Sequence, residues 1–139
     1  VPLNLHHAVD PCVKRQEIFA RMVYDPILIY KICTENEWRQ LLEKGRFSGS
    51  ADDLRDGFVH LSSAAQVART AAKFFAGRSD LVLLAINPER LGDALRWETT
   101  PSGSVYPHLY APLPLDAVAT ATPLTLAADG RHILPPELG

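Results

Sequence analysis

The run Leu81–Ile86 reads Leu-Val-Leu-Leu-Ala-Ile, apolar at every position, with Asp80 before it and Asn87-Pro88 closing it. Successive side chains of a strand point to opposite faces, so a strand without a polar alternate has no face to give to water. The run is short for a helix and bounded by breaker residues, which predicts a central strand covered on both sides. Around it the pattern is mixed. Ile27 to Cys33 predicts a first strand, and Thr34 with Glu37 has capping-box spacing for a helix carrying Trp38, Leu41 and Leu42 on one face and ending at Gly45. Ala51 to Asp56 predicts a short helical turn ending at Gly57. Ala64, Val67, Ala68, Ala71, Phe74 and Phe75 mark the apolar face of a second main helix, with Arg69, Thr70 and Lys73 on its polar side and Gly77 as its stop. Leu95 to Glu98 predicts a strand, Tyr106 to Tyr110 a strand edge or ordered loop because of Pro107, and Leu115 to Leu126 an antiparallel strand. Asp129-Gly130 predicts a hairpin into Arg131-His132-Ile133, followed by a frayed tail from Pro135. Strands and helices without strict alternation predict an α+β fold.

The segment Asp56 to Gln66 is where polar chemistry coincides with this framework. As one strand, Phe58 to Ser62 would place Phe58, His60 and Ser62 on one face, and Ser63 with Gln66 has the spacing of a capping box for the helix that follows. A His and a Ser would then lie beside a helix N-terminus, whose free N–H groups favour an anion. The same residues also suit a half-buried, hydrogen-bonded strand end with no ligand. Tyr106, His108 and Tyr110 share a face of their segment, and Gly49-Ser50 lies in an exposed connection. Trp38 and Trp97 are expected in the core, Tyr30 and Tyr110 can bury their rings, and Glu98 can pair with Arg46 or Arg96.

With 139 residues, 47% of them hydrophobic, the chain can bury a core without covalent staples. Residues 1–26 lack a sustained period and read as a leader or extension, with a short helix around Lys14 to Met22, ahead of one domain over 27–139. His6-His7 lacks a third ligand, and two cysteines, Cys12 and Cys33, make no disulfide framework, so no metal site is expected. Fourteen basic against 16 acidic side chains, with no run of one sign, argue against duplex nucleic acid and anionic membranes as partners. No apolar run approaches the roughly 20 residues of a membrane helix. A cytoplasmic protein, monomeric or weakly dimeric, is expected.

Several motifs in order, Ile29-Tyr30-Lys31-Ile32, Gly45-Arg46-Phe47-Ser48-Gly49-Ser50-Ala51, Asp56 to Ser62, Leu95-Arg96-Trp97-Glu98 and Pro107-His108-Leu109-Tyr110, closely resemble the bacterial family called domain of unknown function 952. The resemblance covers about residues 27 to 120. It implies a fold similar to that of ADP-ribosyltransferases: a split antiparallel or mixed β-sheet with two main helices and a cleft for NAD or an ADP-ribose-like nucleotide. It further implies that His60 and Ser62 match the His-x-Ser/Thr of such clefts, with Leu61 where a glycine is usual. Glu98 would then be the late glutamate that polarises the ribose. RNA 2'-phosphotransferase chemistry would instead use Arg96, His108 and Lys31 on a phosphate. The candidate site is thus His60, Glu98 and His108 for chemistry, with Tyr30, Lys31, Ser50, Ser62, Arg96 and Tyr110 for ligand contact. An enzyme of this type, a ligand-binding module without turnover and a protein-docking module remain the three readings.

Overall fold

The computed structural model describes residues 27–138. The expectations for residues 1–26, the Lys14 to Met22 helix, His6-His7 and Cys12 lie outside the described residues. Strand β1 (Ile29–Thr34) leads into helix α1 (Glu35–Lys44), β2 (Arg46–Phe47), helix α2 (Ala51–Asp56), β3 (Val59–His60) and β4 (Ser62–Ser63). A 3-10 turn, Ala64–Gln66, opens helix α3 (Val67–Phe74), and β5 (Leu81–Ile86) follows. Then come β6 (Leu95–Thr99), β7 (Val105–Leu109), β8 (Leu113–Pro114), β9 (Val118–Leu126) and β10 (His132–Ile133). The strands form a five-stranded sheet in the order β10-β9-β5-β1-β4, a three-stranded sheet β3-β7-β6 and a pair β2-β8. Every pairing is antiparallel. The architecture is α+β, and the α-helices among the described residues are the two main ones expected, α1 and α3, and the short α2 where a helical turn was expected.

As its sequence predicts, β5 lies between β1 and β9 with all six residues buried. Its alternation divides the core. Val82, Leu84 and Ile86 join Ile29, Cys33, Leu41, Val59 and Leu109 on one side, while Leu81, Leu83 and Ala85 join Tyr30, Ile32, Val67, Ala71 and Leu124 on the other. Burial pushes the Cys33 thiol up to about 12, with Glu37 adding to the shift, so this cysteine is an inert core residue.

Helix α1 starts and stops as its sequence predicts. The Thr34–Glu37 capping box forms in both directions, and Gly45 takes the left-handed C-terminal conformation at φ 76°. Leu42, however, is exposed, and so are Phe74 and Ala68 on α3. The apolar stripes are therefore narrower than the spacing suggests. Trp97 is also outside the core, 52% exposed on the edge strand β6. The tail from Pro135 is packed rather than frayed, because Leu134 and Leu138 cover the α3 side of the core.

Two differences between expectation and structure shape the site. Phe58 to Ser62 is not one strand. Val59–His60 pairs with β7, whereas Ser62–Ser63 pairs with β1, and the chain changes sheets at the buried Leu61. β7 is not an edge but the middle strand of its sheet. Pro107 fits there because a residue in an antiparallel strand sends its N and its C=O to the same side. The Pro107 carbonyl accepts from Leu61 N–H at 3.1 Å, beyond the end of the β3 ladder, so the missing N–H interrupts no pairing.

Candidate functional site

Asp53 lies at the centre of the polar region, although nothing in the periodicity singles it out. It is the third residue of α2, whose N-cap Ser50 has a side chain that accepts from Asp53 N–H at 3.2 Å while Ser50 N–H donates to Asp53 Oδ2 at 2.9 Å. The same carboxylate reaches two other elements. Lys31 Nζ on β1 donates to Oδ2 at 2.9 Å, and His60 on β3 approaches Oδ1 through its backbone N–H at 3.1 Å and its ring Nδ1 at 2.6 Å. Asp53 is 3% exposed. Burial alone would push its carboxyl up, but the bond from His60, the charge and bond of Lys31 and the Ser50 N–H outweigh it. The carboxyl is held far below the usual carboxylate range.

Gly49 makes this packing possible. At φ 131° it occupies backbone space that side chains rarely adopt, and a Cβ there would lie 2.7 Å from Asp53 Cβ. Gly49→Ala is accordingly expected to cost about 1–3 kcal/mol of stability, measurable by urea unfolding, by displacing Asp53 from its donors.

His60 is gripped on both sides, since its Nε2 lies 2.9 Å from Asp56 Oδ2. Asp56 also takes a hydrogen bond from Arg55, which is the main cause of its lowered pKa. Directly across the ladder stands His108, its ring centroid 5.9 Å from that of His60 and stacked on Phe58 at 4.0 Å. His108 is buried, with Nδ1 2.8 Å from Glu98 Oε1, and the Tyr110 hydroxyl donates to the same oxygen at 2.6 Å. Those bonds, from Tyr110 first and His108 second, hold Glu98 below its usual pKa, and the bond to Glu98 raises that of Tyr110. Arg96 lies over the Tyr110 ring at 5.0 Å.

A cleft of about 600 Å³ opens above these residues, between α2, α3 and the β6–β7 loop. It lies within the ordinary size range of small-molecule sites. Of the expected site residues, Lys31, Ser50, His60, Ser62 and His108 line it. Ser62, 3.1 Å from the Thr70 hydroxyl, reaches it from the other sheet. Lys31 is already committed to Asp53. Tyr30 faces the α3 side of the core, where burial raises its pKa. Glu98, Arg96 and Tyr110 stand behind His108 instead of lining the cleft, and Glu98 pairs with neither Arg46 nor Arg96. Arg69, Lys73, Phe74 and Tyr106 line it as well. Among the described residues Arg69 and Lys73 have no carboxylate partner.

Sequence reasoning missed Asp53, Asp56, Arg69 and Lys73. The Ser50-x-x-Asp53 spacing was the available signal for the first, and the four-residue spacing of Arg69 and Lys73 on one helix face for the last two. Among the described residues no group of three or more His, Cys, Asp or Glu could hold a metal ion, and no helix is long and apolar enough to cross a membrane.

The family described as "Protein of unknown function (DUF952)" matches residues 32–121. The chain belongs to this family. Among solved structures, the domain of unknown function 952 fold seen here is similar to the crystal structure of protein CC0527 from Caulobacter crescentus. The two are 49% identical, with a TM-score of 0.76 over 80% of this chain and 97% of that one. The solution NMR structure of CC0527 is 50% identical, with a TM-score of 0.69 over 76% of this chain and 90% of that one. No curated protein matches the chain.

Proposed function

We propose that the cleft binds a nucleotide of the NAD or ADP-ribose kind. The observation that carries this reading is the pair Arg69 and Lys73, two cations without carboxylate partners among the described residues, on the wall of a cleft that His60, His108 and Ser62 also line. Phosphate oxygens would occupy the cationic wall, ribose hydroxyls would meet His60 and Ser62, and Tyr106 would offer an apolar face to a base. An ADP-ribosyltransferase-like fold, which the family resemblance implies, would hold the same ligand class. Transfer of ADP-ribose, however, needs a glutamate on the cleft wall, and Glu98 is turned toward His108 and Tyr110. The geometry therefore favours nucleotide binding over that reaction.

A thermal-shift series tests the reading. NAD and ADP-ribose are expected to raise the melting temperature and nicotinamide alone to leave it unchanged. At a hundredfold excess over Kd a ligand adds about 2.7 kcal/mol to the folded state. Arg69→Glu with Lys73→Glu should remove the shift while the ligand-free melt stays within about 0.5 kcal/mol of the parent, since both residues are exposed. An unchanged melt with every nucleotide would refute the reading.

A further inference from the structure

His60 and His108 are cross-strand partners, but their ring nitrogens are committed differently. A carboxylate can only accept, so the bond between His108 Nδ1 and Glu98 places a proton on Nδ1, and in the neutral ring the lone pair is then on Nε2. Among the described residues no side-chain nitrogen or oxygen is both buried and unpartnered, so Nε2, which has no protein partner, opens to the cleft that His108 lines. His60 is the opposite case. Asp53 Oδ1 lies 2.6 Å from its Nδ1 and Asp56 Oδ2 2.9 Å from its Nε2, so a carboxylate stands beside each ring nitrogen. One ring turns an unpartnered nitrogen to the cleft and its neighbour a nitrogen set against a carboxylate, an asymmetry that can separate a base from an acid.

We propose that His108 and His60 are the general base and general acid for internal displacement at the phosphodiester of a single-stranded ribonucleotide. This rests on the nucleotide reading of the cleft and names its substrate class. His108 Nε2 takes the proton of a ribose 2'-hydroxyl, and O2' attacks the adjacent phosphorus. The O2'–P bond forms as the P–O5' bond breaks, and His60 passes its Nε2 proton to the departing O5'. Asp56, half-exposed and shared with Arg55, turns aside as that proton leaves. The products are a 2',3'-cyclic phosphate and a chain with a free 5'-hydroxyl. Solvent returns a proton to His60 and removes one from His108, and no co-reactant is consumed. Arg69 and Lys73 meet the non-bridging oxygens, whose charge grows in the transition state. Leaving-group chemistry selects this substrate. Nicotinamide departs from NAD as a neutral base and has no use for an acid, whereas a ribose alkoxide needs a proton as it leaves. Glu98 and Tyr110 act as positioning residues by fixing the His108 tautomer.

The test incubates the full chain with a single-stranded oligoribonucleotide of mixed sequence and with its all-2'-deoxy counterpart. Binding is followed by fluorescence anisotropy and products by mass. The expected result is cleavage of the ribo strand alone, leaving 2',3'-cyclic phosphate ends, with loss of activity in His108→Ala and in His108→Gln, the second variant guarding against misfolding of the first. Glu98→Gln should lower kcat by roughly 10–100-fold with KM unchanged. Binding of the ribo strand without cleavage, or cleavage that survives in both His108 variants, overturns the acid–base assignment and leaves nucleotide binding intact. Failure to bind either strand, NAD or ADP-ribose overturns both.

Discussion

Asp53→Ala is expected to cost about 3–5 kcal/mol of folding stability, read as a lower urea midpoint, because it breaks a buried ion pair from one side. Lys31 would keep its charge in a site with almost no access to water. The backbone N–H groups of Ser50 and His60 would lose their acceptor, and α2, only six residues long, would lose half of its capping box. Much of the loss should be recovered by removing the stranded charge. Lys31→Met added to Asp53→Ala is therefore expected to give a double variant more stable than Asp53→Ala alone, and the cycle reports the coupling. A single variant that unfolds within about 1 kcal/mol of the parent would mean that this carboxylate does not hold β1, α2 and β3 together.

The second large effect is a dependence on acid. The Asp53 carboxyl is depressed in the folded protein, so the native state binds fewer protons there than the unfolded chain does. Its contribution is fully present above the unfolded value, near pH ~3.9, and is lost as pH falls from there toward the lower folded value. A contribution on the order of 3 kcal/mol is expected to disappear over that window. Asp53→Asn cannot titrate. Its stability deficit relative to the parent should be largest near pH ~6 and shrink steadily below pH ~4, with the remaining carboxylates cancelling in the difference. A deficit that stays constant down to pH ~2.5 would show that Asp53 is not held ionised by its partners.

Both effects involve a residue that the sequence pattern places in an ordinary helical turn, which shows what was legible and what was not. Features encoded over a few neighbouring residues were visible. The unbroken apolar alternation of Leu81–Ile86 can be satisfied only between two layers, and the Thr34–Glu37 box with Gly45 delimits α1 by local hydrogen bonding. The Asp53–Lys31 pair spans 22 residues, and nothing in either local pattern points to the other. Alternation continues through Leu61 and marks it as one more residue of a strand, whereas the competition between β7 and β1 for its two neighbours breaks the strand there. Of the site, His60, Ser62 and His108 were visible as polar residues on alternating faces. That Glu98 belongs behind His108 depends on the β6–β7 register, which pairs Glu98 with Tyr106 and Arg96 with His108.

The change of sheet at Leu61 has a mechanical consequence. His60 and His108 belong to the three-stranded sheet, while Ser62 and Lys31 belong to the five-stranded one. A ligand touching both pairs is a crosslink between two plates. Part of its binding free energy therefore goes into fixing the angle between them, and the looser the plates are without it, the weaker its observed affinity. Stiffening the joint should tighten binding without altering a single ligand contact.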